Sequence, residues 1–264
     1  MAAADSIWPR SRAGRITAPT RLLLMLEARA LSELGAYYLA RPLLRSAPRG
    51  DGHPVLVLPG FLAGDFSTTP LRSFLSSRGY AVEGWKLGRN LGASGLEERV
   101  LERVAALRRA HGRKVSLVGW SLGGIFAREI ARLARDEVRS VISLGSPFNR
   151  DPRANHTWRL FEYLSGRTID GIDPRVMASM GEPPPVPATA IYSRSDGIAA
   201  WQCCVEREGP TSESIEVEGS HLGLGHNPLV LHAVADRLAQ PEGAWRRFQR
   251  SGLRRYFYRD PLRP

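Results

Sequence analysis

Gly119-Trp120-Ser121-Leu122-Gly123-Gly124 joins the apolar run Lys114-Val115-Ser116-Leu117-Val118 directly to the helical stretch Ile125-Phe126-Ala127-Arg128-Glu129-Ile130. No loop intervenes, so the chain must turn from strand to helix in one sharp bend with Ser121 at its apex. In so tight a turn a Cβ at position 119 or 123 would collide with neighbouring backbone, and glycine avoids the collision. The local sequence thus demands a parallel strand followed at once by its covering helix.

A serine held this way stands clear of the sheet edge, as a nucleophile must. The pentapeptide alone is weak evidence. With 26 Gly and 22 Ser in 264 residues, a Gly-x-Ser-x-Gly match arises by chance about 0.2 times, and its bland reading is a Gly-Ser loop. Context has to decide.

From residue 54 the pattern alternates strand and helix. Pro54-Val55-Leu56-Val57-Leu58 is a continuous apolar run, as for a parallel strand buried on both faces. A helix is expected over 69–78, with Pro70 in its first turn, then a strand over 80–85. The next helix, 95–111, carries Leu96, Val100, Val104 and Leu107 on one face and is ended by Gly112. After the 114–118 strand and its helix come strands at 139–144, 188–192 and 214–217 and a last helix over 228–239. This alternation predicts a parallel sheet covered by helices on both faces. Residues 147–187 interrupt the rhythm with Trp158, Phe161, Tyr163 and a proline-rich return, and read as a lid-like insertion or a packed surface excursion. Residues 1–16 are expected to be disordered. Residues 17–45 read as one helix or two, packed on the domain, capping the site or lying at a membrane.

Charge and cysteine usage narrow the function classes. Of the formal net charge of +11, residues 1–50 (8 Arg, 3 acids) and 241–264 (7 Arg, 2 acids) carry all but +1. With 35 Arg to 2 Lys, this excess reads as codon bias in solvated tails, with attraction to anionic lipid as the sharper alternative and no nucleic-acid partner expected. Adjacent Cys203 and Cys204 would form a strained disulfide, so nothing points to an oxidising compartment. No metal-ligand set is visible, and no cofactor is implied. The run Leu22-Leu23-Leu24-Met25-Leu26 is too short for a signal segment or a membrane span. A cytoplasmic protein is expected, peripheral to a membrane if its basic and apolar N-terminal region makes contact. The oligomeric state is open.

A seryl nucleophile needs a base, and the base needs an orienting acid. Asp196 lies just past the 188–192 strand and is the only carboxylate between Glu182 and Glu206. For the base, His221 follows the last strand; His226, at the start of the last helix, is better suited to a structural role. The other four histidines are not placed for it. An oxyanion hole needs two backbone N–H groups. Leu122, after the nucleophile, supplies one, and Phe61, in the loop Leu58-Pro59-Gly60-Phe61-Leu62 after the first strand, supplies the other.

Together the Gly119–Gly123 elbow, Asp196 and His221 resemble the α/β-hydrolase superfamily, and more closely its lipase and esterase branch, over residues 54–239. The resemblance implies a three-layer α/β-hydrolase fold with a mostly parallel central sheet and the site at strand C-terminal ends. Pro59-Gly60 stands where lipases often have His-Gly, and the first two antiparallel strands of the full fold are not evident, so a six-stranded core is expected. The domain reading is a helical N-terminal extension (1–50), a catalytic domain (51–240) containing the insertion, and a basic C-terminal tail (241–264). The implied activity is hydrolysis of a small-molecule carboxylic ester through an acyl-enzyme. The same triad would serve an acyltransferase or thioesterase, and a non-catalytic membrane- or partner-binding scaffold is the reading from another class.

Overall fold

The computed structural model describes residues 16–259. The disorder expected for residues 1–16 falls outside that range, Ile16 excepted.

Among the described residues six strands form one sheet: β1 (Pro54–Leu58), β2 (Ala81–Gly84), β3 (Val115–Trp120), β4 (Val138–Leu144), β5 (Ala188–Tyr192) and β6 (Ser212–Glu216). Their order is β2-β1-β3-β4-β5-β6, and every neighbouring pair is parallel. All six carboxyl ends therefore share one edge. The central strand β1 is apolar throughout because both its faces are covered, whereas the edge strands β2 and β6 carry Glu83 and Glu213. On one face Val55, Val57, Val118 and Ile142 meet α3 (Thr69–Ser77) and α8 (Pro228–Leu238). On the other, Leu56, Leu58, Leu117 and Val141 meet α4 (Leu96–His111) and α5 (Leu122–Leu133). The period-two alternation along each strand sends successive side chains into the two cores.

Local chemistry sets the helix ends. Gly112, at φ +63, closes α4, a left-handed position that glycine takes without strain. Asn227 caps α8, its Oδ1 accepting from Leu229 N at 2.9 Å, and Pro228 follows at the first turn. Strand β6 begins two residues earlier than the apolar pattern indicates, because Glu213 is buried against Arg237 and Phe248 N rather than left in solvent.

The N-terminal extension is α1 (Arg21–Met25), a 3-10 turn over Leu26–Arg29 and α2 (Ala30–Leu44). Tyr37 and Leu44 of α2 join the core beside α8. The C-terminal segment is packed too, unlike a solvated tail. Phe248 and Tyr258 are buried, Arg254 pairs with Asp236, and Arg250 donates to Ser214 O. Aromatic anchors and neighbouring acids dispersed through the sequence make that possible.

The excursion between β4 and β5 holds α6 (Trp158–Ser165) and α7 (Pro174–Met180). Its return is anchored by Arg128 of α5, which pairs with Glu206 and donates to Glu182 O. The pair is fully buried, and Arg128 also stacks over Phe148. Among the described residues no helix is long and apolar enough to cross a membrane.

Candidate active site

Ser121 sits between β3 and α5 with φ +52 and ψ −120, a conformation that costs a non-glycine residue strain. Its flanking glycines are there for want of space. A Cβ on Gly119 would lie 2.3 Å from Gly123 O, and one on Gly123 would lie 2.4 Å from Leu58 O. The bend is pinned from the neighbouring strand, since Ser121 N donates to Leu144 O at 2.8 Å.

Asp196 and His221 come from loops after β5 and β6, and the topology brings those loops together at the same sheet edge. Asp196 Oδ1 accepts from Ile198 N and Ala199 N, both at 2.8 Å, which orients the carboxylate. Its Oδ2 receives the Nδ1–H of His221 at 2.6 Å. That bond fixes the tautomer and leaves Nε2 free to accept a proton. Both side chains are almost fully buried.

Two contacts bring this pair to the elbow. Trp120 Nε1 donates to His221 O at 3.1 Å. Gly145, directly after Leu144, lies so close that a Cβ there would stand 3.1 Å from His221 Nδ1 and 3.3 Å from Asp196 Oδ2. Burial pulls the His221 pKa down, but the Asp196 charge and hydrogen bond, with the Glu27 charge beyond them, outweigh it. The net result is a pKa raised above the ordinary 6.5.

The Pro59–Phe61 loop meets the elbow from β1. A Cβ on Gly60 would lie 3.2 Å from Ser121 Cβ, so this backbone runs against the serine. Asn90 holds the loop, donating from Nδ2 to Pro59 O at 2.9 Å and accepting at its own carbonyl from Leu62 N at 2.8 Å. Phe61 N–H is next to Gly60, and Leu122 N–H is in the first turn of α5, where helix donors lack intrahelical acceptors.

His226 is elsewhere: its Nε2 meets Ala30 O at 3.0 Å, a bond that fastens α2. A second Ser-His-Asp array exists at the opposite sheet edge. His53 Nδ1 lies 2.5 Å from Asp51 Oδ1, and its Nε2 lies 2.9 Å from Ser116 Oγ. Ser116 is fully buried within β3. No acyl group can reach it, and the array is structural.

Above the edge, Phe161 of α6 packs edge-to-face on Phe61, ring centroids 5.7 Å apart. Phe161 thus overlies the Phe61 loop, whereas Tyr37 of α2 belongs to the core. Sequence reasoning missed Asn90, Gly145 and Glu27. Only Glu27 left a trace, as one of three acids in a basic first fifty residues.

No protein-family model matches the chain, nor does any curated protein. Solved structures do. An α/β hydrolase from the metagenome of sediments of the Mar Chica lagoon, Morocco, is 16% identical with a TM-score of 0.50, covering 71% of this chain and 90% of its own. One of two metagenome-derived lipolytic enzymes, LipS and LipT, is 14% identical with a TM-score of 0.54, over 73% and 95%. The monoacylglycerol lipase of Paleococcus ferrophilus is 15% identical with a TM-score of 0.51, over 72% and 96%. Identity this low speaks to architecture alone. The parallel order β2-β1-β3-β4-β5-β6, the bend after β3 and these likenesses together establish that the chain has the α/β-hydrolase fold.

Proposed function

We propose that the protein is a serine hydrolase of carboxylic esters. The observation that carries this reading is the 2.6 Å bond between His221 Nδ1 and Asp196 Oδ2, made at the sheet edge where Ser121 is held in its strained bend.

In the proposed reaction Ser121 Oγ attacks the acyl carbon while its proton passes to His221 Nε2. Asp196 holds the ring and offsets the imidazolium charge. Phe61 and Leu122 N–H receive the oxyanion. Collapse expels the alcohol, which takes the proton from Nε2, and leaves an acyl-serine. Water, deprotonated by His221, then attacks the acyl carbon and releases the acid and the free serine. In this reading residues 51–240 are the catalytic unit, and residues 147–187 cover the acyl side of the site.

The N-terminal helices support a second element of the proposal, peripheral contact with an anionic membrane surface. Leu22, Met25, Leu31, Leu39 and Leu43 are each at least 66% exposed, and exposed Arg21, Arg41 and Arg45 stand among them. Apolar groups for the acyl boundary and guanidinium groups for headgroups is the pattern of an interfacial helix.

Ser121→Ala tests the catalytic reading. Hydrolysis of a short p-nitrophenyl ester is expected to fall by roughly three orders of magnitude or more. Retained activity overturns the proposal.

A further inference from the structure

Asp196 and His221 ride on loops, and the sheet does not hold those loops unaided. Glu27, in the 3-10 turn between α1 and α2, is only 4% exposed. Its Oε1 accepts from Gly197 N at 2.7 Å and from His221 N at 2.9 Å, and its Oε2 accepts from Leu222 N at 2.9 Å. One carboxylate thus ties the residue after Asp196 to the backbone of His221. Arg29 and Glu33 extend the grip. Arg29 Nη2 donates to Ser195 O at 2.6 Å, and Glu33 accepts from Ser220 N at 2.8 Å and Ser220 Oγ at 2.9 Å. Both sequence neighbours of Asp196 and both of His221 are therefore bonded to residues 27–33.

The fit is built from both sides. A Cβ at position 197 would lie 2.2 Å from Leu23 O, so the missing side chain lets α1 descend onto the Asp196 loop. An apolar side chain in place of Glu27 would leave three backbone donors unpaired in a buried site, each a desolvation cost. A carboxylate, acceptor-only with lone pairs for all three, is the side chain that suits.

We propose that Glu27 is a positioning residue of the triad: it bonds the Asp196 and His221 loops to each other and sets its charge behind the imidazolium formed during catalysis. This rests on the hydrolase reading above. The N-terminal extension then completes the site from behind. The charged groups that face the imidazole are Asp196, from the loop after β5, and Glu27; Arg29 and Glu33 pair with each other at 3.3 Å beside them.

The test uses the full chain with Glu27→Gln and Glu27→Asp. Kinetics on a short p-nitrophenyl ester are normalised to sites titrated with a fluorophosphonate, and amide exchange is followed at Gly197, His221 and Leu222. Glu27→Gln keeps the size but removes the charge and turns a donor toward one N–H. Its kcat is expected to fall tenfold or more with KM within twofold, the acid limb of kcat/KM to move to lower pH, and exchange at the three amides to quicken. Wild-type kcat and an unmoved limb in Glu27→Gln overturn the proposal. Should that variant not fold, Glu27→Asp decides. Too short to reach both loops, it must lose kcat while keeping the wild-type limb, and an unchanged kcat overturns the proposal. A wild-type protein that neither hydrolyses esters nor takes the probe fails the hydrolase reading instead. Exchange then tests the clamp alone: faster exchange in Glu27→Gln confined to the two loops supports it, and unchanged exchange overturns it.

Discussion

The indole of Trp120 donates to the carbonyl oxygen of His221 at 3.1 Å, so the residue before Ser121 holds the backbone of the residue that carries the imidazole. In sequence Trp120 distinguishes no branch of the hydrolases. In the fold it ties the elbow to His221. Trp120→Phe keeps most of the ring and deletes the donor. The His221 carbonyl retains a longer bond from Leu224 N at 3.4 Å, so the expected loss of stability is modest, about 1 kcal/mol. The kcat is expected to drop about three- to tenfold as the imidazole drifts. Thermal melts and steady-state kinetics check the two effects separately.

The raised His221 pKa sets a pH dependence. In the proposed reaction His221 must be neutral to take the serine proton, so the acid limb of kcat/KM is expected above pH 6.5. Stability runs the other way. A histidine whose pKa is higher in the fold contributes stability that is complete below 6.5 and is lost as pH rises through the folded value. The histidine's contributions to activity and stability therefore cross in one window. A pH-rate profile gives the first, and denaturant melts of wild type against His221→Gln give the second.

Strain at Ser121 is measurable by removing it. The φ of +52 costs serine about 1–3 kcal/mol, while glycine in its place costs about 0.5–1 kcal/mol of chain entropy. Ser121→Gly is expected to be inactive yet more stable than wild type by about 1 kcal/mol, whereas Ser121→Ala keeps the strain. Chemical denaturation of the three proteins under identical conditions checks this ordering.

Gly145 leaves no room behind the pair. At φ +55, an added methyl would meet Leu224 Cδ1 at 2.6 Å as well as His221 Nδ1 and Asp196 Oδ2. Gly145→Ala is expected to lower kcat by about a hundredfold, the scale of a catalytic group displaced by about 1 Å. A His221 Nδ1–H resonance shifted from its wild-type position would show that the displacement lies in the pair.

Membrane contact is checked by co-sedimentation with vesicles containing phosphatidylserine against phosphatidylcholine alone. Binding is expected to the anionic vesicles and to weaken with salt, as each arginine near the surface contributes about 1 kcal/mol. Leu31→Asp with Leu39→Asp, both on the exposed side of α2, is expected to abolish binding without altering hydrolysis of a short soluble ester.

Much of the architecture was legible in the order of residues because it follows from local rules. An apolar pentapeptide such as Pro54–Leu58, five residues long and rich in valine, points to a doubly covered strand. Gly112 and Asn227-Pro228 mark helix ends by backbone geometry and capping. The Gly119–Gly123 spacing is a steric statement about one bend, and the clashes that added Cβ atoms would make there are the ones the spacing implied. Asp196 and His221 could be singled out because each follows a strand, and parallel strands deliver their successors to one edge.

The rest depended on contacts between residues far apart in the chain. The sequence from Asp51 to His53 offered no sign of a second Ser-His-Asp array; its burial in the sheet, not its composition, denies it chemistry. Phe248 and Tyr258 looked like part of a charged tail until α8 gave them a surface to cover. Glu27 stood out only as an acid in a basic stretch, since its partners lie 170 and 194 residues away and are backbone groups that carry no sequence signature. Residue order alone determined the bend, the strands and the chemical types available at the sheet edge. Only the folded chain decided which backbone donors faced which acceptors, because that depends on loops meeting in space, and no local pattern records it.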